Sequence, residues 1–163
     1  MKVSFPSLEF FEALRQKMQE ARSRFERLGY FDTRFGIRVF DPRVPGGRRD
    51  FVLGFEVFDC VEVRESPDVL SENLDFVLAG DIGAWAEMFR NIKENGRADV
   101  AHSINTLTHF GEKLRVLYDD PDGHDKLYRF AESVQEFFDL ASSVDFDLPS
   151  LPAEARAAQE GPS

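Results

Sequence analysis

At 163 residues, 42% hydrophobic and 31% charged, the chain has the size and composition of one globular domain, able to remove roughly 70% of its unfolded-chain surface from water. Its formal charge of −10 argues against nucleic-acid and anionic-membrane partners, because such binding depends on Lys and Arg releasing counterions from phosphates. A single cysteine excludes an intramolecular disulfide, and the chain lacks both an apolar run of 18 residues and an N-terminal signal pattern, so the expected location is the cytoplasm, without stable membrane insertion.

The first helix is predicted over 8–28, where Leu8, Phe11, Leu14, Met18, Ala21, Phe25 and Leu28 recur at helical spacing. Ser7 is its expected N-cap, Glu9 and Glu12 suit the first turn, and Gly29 stops it. The period then changes to two over 34–40, a strand with Phe35, Ile37 and Val39 on one face. Next comes "DPRVPGGRRD", which gathers Arg43, Arg48 and Arg49 in one turn. Asp41 and Asp50 flank these arginines, so the turn reads as solvated and self-neutralised.

The run "FVLGFEVFDCVEVRE" is too long for one strand and is read as two, 51–58 and 60–65, bent near Asp59 and Cys60. A short strand at 75–80 leads through Asp81, an expected N-cap, into a helix striped with Ile82, Trp85, Met88, Phe89 and Ile92 that ends at "ENG", 94–96. A shorter helix is expected over 98–107, with Val100, Ile104 and Leu107 inward, and then a strand over 113–119. The last helix is placed at 124–141, its broad apolar face built from Leu127, Phe130, Val134, Phe137, Phe138 and Ala141. Residues 142–163, rich in Ser, Pro, Ala and Glu, read as a flexible tail whose first part Phe146 and Leu148 could tether. The body of the domain is therefore 1–141.

Of the 21 aromatic residues 17 are Phe, which supplies apolar area without the polar handle of Tyr or Trp. Reactive groups are scarce by comparison. His102, Asn105, Thr106 and His109 would share a helix face, yet the spacing of the histidines lacks the i, i+4 proximity of helical metal pairs. In "DDPDGHD", aligning Gly123 with the invariant glycine of a calcium loop puts Tyr118 and Arg129 where acids are needed. Acidic neighbours Asp59 and Glu62 would keep Cys60 protonated. There is no glycine-rich phosphate loop and no serine-nucleophile elbow, so no cofactor, metal or catalytic residue is assigned.

The stretch "FVLAGDIGAW", a strand of the form apolar-x-apolar-x-Gly followed by a helix with an early aromatic residue, resembles the lipid-binding domains of the sterol carrier protein type 2 family. The likeness continues through a short helix, the strand "EKLRVLYDD" and a closing helix, and covers about 30–141. It implies an α/β (α+β) fold, a five-stranded, mostly antiparallel sheet covered by helices around an apolar tunnel that accepts fatty acyl or sterol-like molecules. The family usually turns after its second strand through Asp-Gly, where this chain has Asp59-Cys60, and its short helix is less polar than 98–107. The tail ends in "EGPS" rather than the peroxisomal tripeptide of some relatives.

The expected function is non-catalytic binding or transfer of a hydrophobic small molecule or lipid. The expected wall is Trp85, Met88, Phe89, Ile104, Leu107, Phe130, Val134, Phe137 and Phe138. Two alternatives stay open: an enzyme on the same fold using His102, Asn105, Thr106 and His109, and a protein-interaction module. The oligomeric state is open as well.

Overall fold

The computed structural model describes residues 2–109, 113–118 and 120–149, except for the side chains of Asn105, His109 and His124. In chain order the elements are β1 (Val3–Ser4), α1 (Leu8–Glu20), α2 (Arg22–Leu28), β2 (Thr33–Phe40), β3 (Arg48–Glu56), β4 (Asp59–Ser66) and β5 (Phe76–Asp81). They continue as α3 (Ile82–Asn95), α4 (Ile104–His109), β6 (Leu114–Leu117), α5 (Pro121–Asp139) and β7 (Phe146–Asp147). Single 3-10 turns occur at Pro45–Gly47, Val69–Ser71, Val100–His102 and Leu140–Ser143.

Five strands form one sheet in the order β4-β3-β2-β5-β6. Its pairs are antiparallel apart from β2 with β5, so the mostly antiparallel α/β architecture is as expected. Strand alternation sorts the side chains. Phe35, Ile37, Val39, Phe51, Leu53, Phe55, Phe76 and Leu78 enter the main core, where residues of α1, α3 and α5 cover them. The other face carries the charged residues Arg34, Arg38, Asp50, Glu62 and Arg64, and the connection between β4 and β5 crosses it, with Val69 and Leu74 packing on Val52 and Val77. Arg38 donates to Asp50 in a buried pair, and Arg64 joins Glu62 to Glu72.

Ser7 caps α1 as expected, its hydroxyl accepting the Phe10 N–H at 3.1 Å. The single helix expected over 8–28 is instead broken at Ala21, where φ is −109° and ψ 28°. No Pro or Gly marks the break. Tertiary packing makes it, since α1 lies over β4 while α2 turns toward α5, where Arg24 pairs with Glu136.

The hairpin expected to bend at Asp59-Cys60 turns two residues earlier, at Val57-Phe58, with Val57 at φ 59°. A β-branched residue is strained there, and bonds on both sides hold it: Asp32 accepts its N–H at 2.8 Å, and its carbonyl accepts the Phe31 N–H at 2.7 Å.

The helix expected over 98–107 is a 3-10 turn and then α4, because Asp99 caps the turn through the His102 N–H and Ser103 is extended. The last helix starts three residues early, at Pro121, with Asp120 accepting the Asp122 N–H at 3.0 Å. Asp81 stands at the N-cap of α3, but its side chain makes no capping bond. The tethering expected of Phe146 is realised as a parallel pairing of β7 with β1 that buries Phe146 fully. Position 119, the expected end of the sixth strand, and the tail from 150 on lie outside the described residues.

Candidate ligand-binding interior

The wall residues arrive from three helices. On α3 the stripe Ile82, Trp85, Met88, Phe89 and Ile92 is buried throughout, which follows from apolar residues three and four apart. Trp85 has no exposed surface, and its Nε1–H donates to the Arg38 carbonyl of β2 at 3.1 Å. Gly80 nearby lets β6 approach closely, since a Cβ there would meet the Leu114 side chain at 2.5 Å and the Lys113 carbonyl oxygen at 2.9 Å. From α5, Phe138 stands edge-on to Trp85 at 5.9 Å and to Phe89 at 5.7 Å, while Phe137 packs edge-on to Phe55 at 4.9 Å. Val134 completes this face, and α4 contributes Ile104 and Leu107.

Eight of the nine expected wall residues are buried in one cluster, and the ninth, Phe130, is half-buried at its margin. The structure brings them together closed rather than around an open channel. Ile104 lines a groove of about 330 Å³ and Phe130 a groove of about 540 Å³, and the other seven line neither. The reading of the sequence missed Phe31 and Phe55, which stack at 4.2 Å in the same cluster. Phe55 was recoverable from its alternation with Phe51 and Leu53, whereas Phe31 lies in a connection with no periodic signal.

Of the chemically capable side chains, His102 and Thr106 lie outside this cluster and Cys60 lies within it. His102 faces the α3 surface, with Nδ1 at 2.7 Å from Asp99 and Nε2 at 3.3 Å from Glu87, which also accepts from Lys113 at 3.2 Å. Thr106 donates to the Val100 carbonyl and so closes the turn before α4. The Asn105 and His109 side chains lie outside the description. Cys60 is buried and its thiol is pushed up to about 12, first by desolvation, so burial more than the acids near it in sequence keeps it protonated. Among the described residues no group of three His, Cys, Asp or Glu side chains could hold a metal ion.

Asp139 and Gln135 of α5 hold the connection between α3 and α4. Asp139 Oδ1 accepts the Ala98 N–H at 3.1 Å and the Gln135 amide at 3.0 Å, and Gln135 Oε1 accepts the Ile104 N–H at 2.7 Å. Burial raises the Asp139 carboxyl above the ordinary range, against the lowering effect of those hydrogen bonds. Arg43, Arg48 and Arg49 are matched to acids, at Asp41, Asp50 and Glu65, as a self-neutralised turn requires.

This arrangement, a mixed five-stranded sheet with one helical layer over a Phe-rich interior, defines a small α/β domain. Its fold is that of sterol carrier protein 2. A crystal structure of sterol carrier protein 2 matches with a TM-score of 0.62 at 16% identity, over 83% of this chain and 95% of the other. A solution structure of a conserved hypothetical protein of Thermus thermophilus, suggested to be a sterol carrier protein, matches with a TM-score of 0.62 at 16% identity, over 92% of this chain and 99% of the other. No family model and no curated protein matches the sequence. No helix among the described residues is long and apolar enough to cross a membrane.

Proposed function

We propose that the protein binds or transfers a hydrophobic small molecule, without catalysis, in the interior between the sheet and α3, α4 and α5. The observation that carries this reading is the convergence of Trp85, Phe89, Phe137 and Phe138 in one buried cluster, with the indole N–H already given to the Arg38 carbonyl. The sterol carrier fold supports it. Removing about 300 Å² of ligand surface from water at roughly 25 cal/mol per Å² contributes about 7.5 kcal/mol before the losses of association, and since micromolar binding takes about 8 kcal/mol net, a micromolar ligand buries more surface than that. Of the polar set His102, Asn105, Thr106 and His109, the two described side chains, His102 and Thr106, turn toward Glu87, Asp99 and Val100, which disfavours the enzyme alternative.

Trp85 emission tests the proposal. Fatty acids, acyl thioesters and sterols, titrated below their micellar concentrations, should shift or quench it saturably at micromolar levels. Native mass spectrometry of the protein as purified should show a retained lipid. Unchanged emission and melting temperature across the panel would overturn the proposal and leave the Phe-rich interior as ordinary core.

A further inference from the structure

The groove of about 540 Å³ beside Phe130 falls within the size range of small-molecule sites. Leu28, Tyr30, Tyr128 and Phe130 give it apolar surface, and Arg129, Glu132 and Ser133 give it a polar rim. Its floor runs into the core without interruption. The Phe130 ring lies 5.9 Å from Phe31, Phe31 is stacked at 4.2 Å on Phe55, and Phe55 meets Phe137 at 4.9 Å. Phe137 lies 6.1 Å from Phe138, which lies 5.9 Å from Trp85. An unbroken line of rings thus joins solvent to the chain's only indole. The groove on the opposite face of the sheet, lined by Leu70, Leu74, Val77 and Leu117 among others, borders the separate cluster of Val52, Val69 and Val77.

The two sides of the groove are built differently. Tyr30 and Phe31 belong to a segment fixed by the Val57 bonds to Phe31 and Asp32, and Tyr30 packs on Phe58 at 5.7 Å. Phe130 is half-buried on the helix opposite. The rings behind it are packed without exposure, so whatever passes must displace them one at a time. An alkyl chain one methylene wide meets that condition through successive ring rotations. A rigid fused-ring skeleton would have to move several close-packed rings together.

We infer that this groove is the mouth of the apolar interior, that Phe130 is its gate, and that the molecule admitted is a single flexible alkyl chain rather than a fused-ring lipid. The inference rests on the lipid-binding reading above. The test is stopped-flow mixing with cis-parinaric acid, a single-chain probe read by its own emission and by energy transfer from Trp85. Dehydroergosterol is the fused-ring comparison. Phe130→Ala should raise both the association and dissociation rates by about threefold or more, and Phe130→Trp should lower both, with the equilibrium constant changing less than either rate. Leu70→Ala, on the opposite face of the sheet, should leave the rates alone. Circular dichroism checks folding, and Phe130→Leu replaces Phe130→Ala if the latter does not fold.

Unchanged rates in the folded Phe130 variants, with cis-parinaric acid still quenching Trp85, would overturn the mouth and leave the lipid-binding reading standing. Dehydroergosterol entering as fast as cis-parinaric acid would overturn the alkyl-chain assignment. Absence of any binding by the unaltered protein would overturn the mouth and the lipid-binding reading together.

Discussion

Replacing Trp85 separates packing from hydrogen bonding at the centre of the candidate site. The indole has no exposed surface, stacks on Phe89 at 6.4 Å, takes the edge of Phe138 at 5.9 Å and donates to the Arg38 carbonyl at 3.1 Å. Trp85→Ala removes all of these and leaves a void, for a loss of about 3–5 kcal/mol. Trp85→Phe keeps an aromatic ring against Phe89 and Phe138 but leaves the Arg38 carbonyl without its donor, for a loss of about 1–2 kcal/mol. At roughly 2–4 °C per kcal/mol for a chain of this size, the melting temperatures should fall by about 6–20 °C and 2–8 °C. Far-UV circular dichroism follows both transitions, since neither variant retains the fluorophore. Indole added to Trp85→Ala should recover part of the loss, because the void is apolar with one carbonyl acceptor at its wall. Equal losses in the two variants would show that the hydrogen bond, not ring packing, holds this centre. A loss below about 1 kcal/mol for Trp85→Ala would refute close packing altogether.

Gly123→Ala should destabilise by about 3 kcal/mol, because a Cβ there would stand 1.7 Å from the Asp75 carbonyl oxygen, backbone that cannot step aside; chemical denaturation measures it, and a neutral result would contradict the contact between α5 and the start of β5. Val57→Gly should stabilise by about 0.5–1 kcal/mol, the relief of left-handed strain exceeding the entropic loss of a glycine, and a lower denaturation midpoint would contradict the strained turn. Asp139→Asn keeps the acceptor for Ala98 and Gln135 while removing a carboxyl that burial raises above the ordinary range, with Glu136 adding to the rise and Arg24 opposing it. The native state therefore holds more protons than the unfolded chain above the ordinary carboxylate range, and this group's contribution to stability falls as pH rises through that window. Asp139→Asn should melt higher than the parent near pH 8, by a margin that shrinks near pH 4; a constant or reversed margin would refute the assigned direction.

The helices and strands of the main layers were legible because their apolar periods are long: Ile82 to Ile92 on α3, Leu127 to Phe138 on α5, and the alternating Phe35, Ile37 and Val39 on β2. What was not legible depends on contacts distant in sequence. The break at Ala21 follows from α1 and α2 meeting different partners, and the pairing of Val3 with Phe146 joins two-residue strands from opposite ends of the described chain. The turn at Val57 carries no glycine, so its signal was displaced to Asp59-Cys60, and Asp32, which holds it, is 25 residues away. Within the buried cluster the positions on α3 and α5 were readable and Phe31 was not, since Phe31 owes its place to the backbone bond with Val57 rather than to any period of its own.

The polar residues around the interior share one physical assignment. A helix as short as α4 has little stability of its own, and here side chains from neighbouring elements hold its approach: Asp139 takes the Ala98 N–H, Gln135 takes the Ile104 N–H, and His102 reaches Glu87 and Asp99. Each of these groups is occupied at the rim, while Ile104 and Leu107 carry only apolar surface inward. Among the described residues the interior presents Phe, Met, Leu, Ile and Val side chains, the buried thiol of Cys60 and one indole N–H already given to Arg38. Such a lining discriminates by shape and apolar area, the selectivity that the proposed binding of a hydrophobic molecule would need.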